Sequence, residues 1–235
     1  MPFLSAQWLN LALANYAVPP AALQPFLPAK TELDTWNDTC YVSLVGFLFK
    51  NTRLLGIPIP FHVNFEEVNL RFYVRYRDGD TWKRGVVFVK EIVPRPALTF
   101  VANTLYREHY ATMPMRHRWT ETGQSRQVEY AWKCQGLWQS LALTAEKIAQ
   151  PILDGSEAEF ITEHYWGYTR INPHTTFEYE VTHPRWDIYP VIDSVIQVDF
   201  EKVYGKSFAP LNDMEPLSVM LAKGSAITVE NKRKI

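Results

Sequence analysis

Cysteine is nearly missing from this chain: its 235 residues include only Cys40 and Cys134. Two thiols do not make a disulfide framework, so reduced, packed cysteines are expected. An excess of charge is missing too, with 24 Lys and Arg against 25 Asp and Glu. Nonspecific nucleic-acid binding needs a basic footprint, so no nucleic-acid partner is expected. No stretch is long and apolar enough to span a membrane as a helix. The opening MPFLSAQWLNLALANYAVPP has no basic flank, and Asn10 and Asn15 interrupt its apolar residues, so it does not read as a signal peptide. A cytoplasmic protein without a membrane partner is the resulting expectation. No long Pro/Gly/Ser linker or charge block divides the chain, which predicts one domain over residues 1–235. HExxH, a tight Cys/His cluster, G-x-G-x-x-G and the P-loop are all absent, so neither a metal nor a cofactor is expected. Ser, His and Asp are present without a local catalytic signature.

What the chain does hold is apolar and aromatic. Hydrophobic residues make up 47%, with 8 Trp, 12 Tyr and 13 Phe, alongside 16 Pro. Short alternating runs of such residues favour sheet over helix bundle. Pro19 to Leu27 allows a short helical turn. CYVSLVGFLFKNTRL reads as a strand, whereas the prolines of Gly56 to Phe61 exclude a central one. FEEVNLRFYVRYRDGDTWKRGVVFVKEIV reads as a hairpin turning at Asp78, Gly79 and Asp80. ALTFVANTLY is expected to be the next strand, with RQVEYAWK and LWQSLALTAE continuing the antiparallel sheet. Ser156 and Glu159 fit a capping box that opens a helix, and Gly167 marks its exit. TTFEYEVTHPRWDIYPV and SAITVENKRKI return to strand.

Lys90 is the first candidate for chemistry. In GVVFVKEIV, a period of two puts Val86, Phe88, Lys90 and Ile92 on one face. An unperturbed lysine, with a pKa of ~10.4, is almost wholly protonated at neutral pH. Apolar burial or a nearby cation lowers that value and frees the amine as a nucleophile. The alternative is that Lys90 pairs with a carboxylate such as Glu67, or snorkels from a strand end. In the first arm of the hairpin, Glu67, Asn69, Arg71, Tyr73 and Arg75 share a face. Arg71 and Arg75 could hold a substrate carboxylate through their guanidinium forks, and Glu66 and Glu67 could hold those arginines or serve as a general base. A charged solvated face is the alternative. His164, His174 and His183 could meet in space, but their spacing has no ligand specificity. Met113 and Met115 could line a cavity, or simply pack.

FHVNFEEVNLRFYVR, GVVFVKEI, EFITEHYWGYTR and VTHPRW together resemble the DUF2071 (YqjF-like) family, itself similar in fold to the acetoacetate decarboxylase superfamily. Glu66-Glu67-Val68, Arg71, Tyr73-Val74, Gly85 to Phe88, Thr162-Glu163-His164-Tyr165, His183 and Trp186 carry the resemblance. It covers nearly the whole chain. Glu66 stands where the family usually has asparagine and His164 where it has arginine. Met113 to Met115 replace a proline–tyrosine element, and Arg185 separates Pro184 from Trp186.

The resemblance implies a mainly antiparallel α+β fold: a barrel or cone enclosing a cavity, with small peripheral helices. Decarboxylase relatives form a Schiff base from one lysine beside a second. Lys90 falls near that place, with Val89 or Glu91 where the second lysine would stand, so the paired device is missing. The expected function is binding of a small anionic or carbonyl-containing molecule in the cavity. Arg71, Arg75, Tyr73, Phe88, Trp132 and Tyr165 would contact it, with Lys90 and Glu67 available for catalysis. A Schiff-base decarboxylase or lyase using Lys90 is one alternative; a noncatalytic structural or interaction protein is the other. The aromatic content permits a homodimer.

Overall fold

The computed structural model describes residues 1–235. Strand β1 (Leu4–Ala17) leads through α1 (Pro20–Leu23) to β2 (Thr31–Leu33), β3 (Tyr41–Leu54), β4 (Phe65–Asp78) and β5 (Thr81–Val93). Then come α2 (Pro96–Val101), β6 (Tyr110–Thr112), β7 (Met115–Thr122), β8 (Ser125–Cys134), β9 (Leu137–Glu146) and β10 (Gln150–Pro151). The rest is α3 (Glu157–Thr162), β11 (Trp166–Asn172), β12 (Thr175–Thr182), β13 (Asp187–Tyr189), β14 (Val191–Gln197), α4 (Phe200–Tyr204), β15 (Ser218–Val229) and β16 (Arg233–Lys234). The fold is thus mixed α and β, dominated by antiparallel strands, with small helices. No helix is long and apolar enough to cross a membrane.

The larger sheet is ring-like. Its hydrogen-bonded path runs β15-β1-β3-β4-β5-β11-β12, and β12 also pairs with β15 through Val181 opposite Val229. Inside the ring, Leu11, Phe47, Phe49 and Phe65 form one apolar cluster with Phe160 and Ile161 of α3. A second sheet, β14-β9-β8-β7, lies over the outside. Between the sheets Val42, Leu44, Leu70 and Phe72 pack with Tyr130, Trp132 and Leu141 and with Phe200 of α4. Successive side chains on a strand alternate faces, so one strand feeds both clusters. Tyr130 ties the layers together: its hydroxyl donates to the Asn10 carbonyl at 2.9 Å. Asn10 sits at φ 51°, within an irregular step of β1 between Leu9 and Ala12.

Four expectations need correction. ALTFVANTLY is α2 followed by a wide turn over Ala102–Tyr106, not a strand. Pro96 occupies the first helical turn, where its fixed φ suits a helix and its missing N–H costs nothing. RQVEYAWK and LWQSLALTAE are β8 and β9, but they belong to the second sheet. The capping box does form, with the Glu159 amide donating to Ser156 Oγ at 3.2 Å, yet α3 ends at Thr162. Gly167 lies inside β11 instead, where a Cβ would come within 2.2 Å of the Tyr179 ring. Its bare backbone lets that ring cross the strand. Finally, β5 does not alternate strictly. Arg71 faces Phe88 and Leu70 faces Lys90, leaving Val89 as an extra residue. This bulge shifts the phase of the strand.

Candidate functional site

The inner face of the ring encloses a cavity of about 390 Å³. Its walls are largely apolar: Trp8, Phe47, Phe49, Phe65 and Phe88 come from the strands, and Leu98 and Val101 from α2. The helical spacing of Ala97, Leu98, Val101 and Ala102 turns one side of α2 onto the cavity. The polar groups include Glu67, Asn69 and Arg71, which alternate along β4, Glu91 beside them on β5, and Glu108, Tyr110 and Tyr179.

Each carboxyl in this group is buried. Glu67 accepts from the Asn69 amide at 2.9 Å and from the Tyr110 hydroxyl at 3.2 Å. Glu108 accepts from the Thr169 hydroxyl. Burial pushes the Glu67 carboxyl up to about 7, against the pull of Asn69, Tyr110 and Arg71. Glu108 is likewise raised to about 7 by burial, against the Thr169 and Tyr179 bonds. Glu91 is raised well above the usual range by burial and by the charges of Glu108 and Glu67. Burial and these same carboxyls also raise the Tyr110 and Tyr179 phenols, which stay protonated donors. Three polar atoms here have no partner: Glu91 Oε2, Asn69 Oδ1 and Arg71 Nε. Arg71 spends another of its donors on the Ile161 carbonyl at 3.4 Å. Unpaired buried polar atoms are costly, and the three residues that carry these all line the one cavity. No three His, Cys, Asp or Glu side chains are grouped so as to hold a metal ion.

A family model for DUF2071, described as an uncharacterized conserved protein, matches residues 5–226. The chain belongs to the DUF2071 family. YqjF of Bacillus subtilis (strain 168), an uncharacterized protein, is 34% identical over 82 residues, which span 34% of this chain and 32% of YqjF. Among solved structures, the enduracididine biosynthesis enzyme MppR complexed with pyruvate superposes with a TM-score of 0.71 at 14% identity. That match covers 100% of this chain and 91% of MppR. An acetoacetate decarboxylase-like enzyme from Sphingomonas wittichii RW1 gives 0.68 at 12% identity, covering 100% of this chain and 94% of that one. At such identities the likeness is one of fold alone: this DUF2071 chain shares its fold with these enzymes.

Of the residues singled out from sequence, the DUF2071 cavity gathers Glu67, Arg71 and Phe88. Lys90 is not among its lining residues. Past the bulge it turns to the outer face, where its amine donates to the Val203 carbonyl oxygen of α4 and lies 6.0 Å from the Tyr204 ring centre. Burial lowers its pKa, but on the side away from the cavity. Arg75 pairs with Glu32 and stacks on Trp82 at 4.5 Å. Tyr73 bonds to the Ser43 hydroxyl at 2.6 Å in the protein interior. Trp132 is fully buried between the sheets. Tyr165 donates to Glu163 and packs on His183. The three histidines scatter: His164 bonds to Asp34, His183 stacks on Trp186, and His174 is exposed. Met113 and Met115 pack against the intersheet core.

Sequence reasoning missed Glu91, Glu108, Tyr110 and Tyr179. Glu91 was within reach, since it follows Lys90 directly and only the bulge hid its phase. Glu108 and Tyr179 lie in distant segments, and nothing local announces that the fold brings them together.

Proposed function

We propose that this protein binds a small organic molecule with an apolar body and a carbonyl head, held in the cavity of the ring. The observation that carries this is the cluster of Arg71, Asn69 and Glu91, each holding an unpartnered buried atom, in the lining of an otherwise apolar cavity. Apolar walls with a few convergent polar groups are the usual make-up of a small-molecule site. The Arg71 guanidinium and a protonated Glu91, both lining the cavity, supply donors for a carbonyl oxygen. The aromatic wall from Trp8 to Phe88 covers the body. Three carboxyls surround the single guanidinium, so a carbonyl fits this end better than a second free anion would. The fold likeness to MppR in complex with pyruvate is in keeping with a carbonyl ligand. A cavity of this size is also hard to reconcile with a protein whose interior is filled by its own side chains. Lys90 has no part in this reading, because its amine is engaged on the outer face.

Saturation-transfer NMR with acetophenone tests it. Transfer to the ketone in the native protein, reduced about tenfold or more in affinity by Arg71→Leu with the fold intact by circular dichroism, is expected for loss of a charge-assisted bond. Absence of transfer, or equal binding by the variant, refutes the assignment.

A further inference from the structure

We propose that the cavity interconverts a bound ketone and its enol, with Glu67 as the base and Glu91 as the acid. The inference rests on the carbonyl-binding reading above and adds a reaction to it. Glu67 and Glu91 stand on neighbouring antiparallel strands, and Glu91 lies directly across from Asn69. Glu67 is therefore its diagonal neighbour, roughly 7–8 Å away along the sheet. Two carboxyls reaching inward from that spacing can bracket adjacent atoms of one molecule. A carbonyl oxygen and the hydrogen on the next carbon are such a pair.

Their surroundings divide the roles. Around Glu67 the Asn69 amide, the Tyr110 hydroxyl and the Arg71 charge all favour the ionised form. Glu91 Oε2 has no partner, and burial with the like charges of Glu108 and Glu67 outweighs the pull of Tyr110 on this carboxyl, so Glu91 keeps its proton. Two carboxyls pushed apart in this way are the mark of an acid and base pair, and a neutral acid beside a carbonyl can stabilise an enolate in an apolar site. Glu108 is tied to Thr169 and holds no place in the transfer.

The step balances without a co-reactant. Glu67 removes a proton from the carbon beside the carbonyl. The C–H electron pair becomes the carbon–carbon π bond, the carbonyl π pair moves to oxygen, and oxygen takes the Glu91 proton. Glu67 is then neutral and Glu91 ionised, beside Arg71. The reverse step restores both. In heavy water, exchange at Glu67 delivers deuterium to the carbon.

The test follows loss of the acetophenone methyl proton signal by NMR in heavy water near neutral pH, with saturation transfer recorded on the same samples. The native protein is expected to speed exchange over buffer. Glu67→Gln and Glu91→Gln, close in shape to the native residues, are each expected to cut the protein-dependent rate roughly a hundredfold or more. Tyr110→Phe gives a second perturbation, expected to slow exchange less. Lys90→Ala is expected to leave it unchanged. Binding without exchange overturns the enolisation and leaves the carbonyl site standing; absence of binding overturns both. Exchange that survives both glutamine variants, or that disappears in Lys90→Ala, overturns the assignment of the groups.

Discussion

Two clusters of buried charge in this molecule are settled in opposite ways. Around Asp34, attraction wins. Arg84 Nε donates to its Oδ2 at 2.7 Å, and His164 Nε2 lies 3.1 Å from the same oxygen. Burial alone would raise the Asp34 pKa, but the bonds from His164 and Arg84 outweigh it and hold the carboxyl below its ordinary value. Around the cavity, burial wins, and Glu67, Glu91 and Glu108 are all raised. The first cluster fastens α3 and its flank to the sheet. The second leaves donors and acceptors unmet in the wall of the cavity. A fold tolerates such a cost where a ligand is to be received, and sites of this kind lower stability as they gain function.

The sharpest way to break the contrast is Asp34→Ala. It strands His164 and Arg84 without their shared partner. Removing one member of a buried charged pair costs about 3 kcal/mol, toward the low end because the Arg84 side chain is 36% exposed. Urea unfolding reads the loss, and a cost below about 1 kcal/mol would deny the cluster its structural part. The pH dependence has a defined sign. Burial pushes the His164 pKa down to about 4 from 6.5, against the pull of Asp34. A depressed histidine stabilises above its unfolded value, and that contribution is lost as pH falls through 6.5 toward about 4. The depressed Asp34 adds a further loss in acid.

The cavity cluster gives the opposite slope. Glu108 is raised from 4.5 to about 7, so the folded state binds its proton more tightly than the unfolded chain does. Its penalty is absent below 4.5, grows as pH rises, and is complete above about 7. Glu108→Gln is therefore expected to stabilise the protein above neutral pH by on the order of 1 kcal/mol, with the gain vanishing in acid. Thermal melts of both proteins across this range check it. A gain that persists in acid would trace to packing rather than to charge.

The same contrast explains what could be read from the sequence. The period-two run Glu67, Asn69, Arg71 on β4 was visible because an undistorted strand keeps its alternation, and all three face the cavity. Alternation failed one strand later, where the bulge at Val89 sent Lys90 outward and Glu91 inward. A bulge depends on the pairing of two strands, so one strand's sequence does not reveal it. Trp132 and Tyr165 looked like cavity residues because aromatic character says that a side chain will be covered, not by which layer. ALTFVANTLY was misjudged because its β-branched residues outweighed Pro96, whose place in a first helical turn was the better signal. The antiparallel class, the β4–β5 hairpin and the capping box rest on local chemistry and were legible.

The smallest expected effect concerns Arg75, four positions beyond Arg71, whose guanidinium lines the cavity. Strand alternation makes Arg71 and Arg75 equivalent, and only the depth of the ring separates them. Arg71 is buried against α3, whereas the Arg75 and Glu32 side chains are 42% and 52% exposed. A pair so open to water and salt contributes about 1 kcal/mol or less. Arg75→Ala should therefore shift unfolding within that limit and leave acetophenone binding unchanged, while Arg71→Leu weakens it about tenfold or more. Equal loss of binding in both variants would mean that position along the strand, and not enclosure by the ring, decides which arginine meets the ligand.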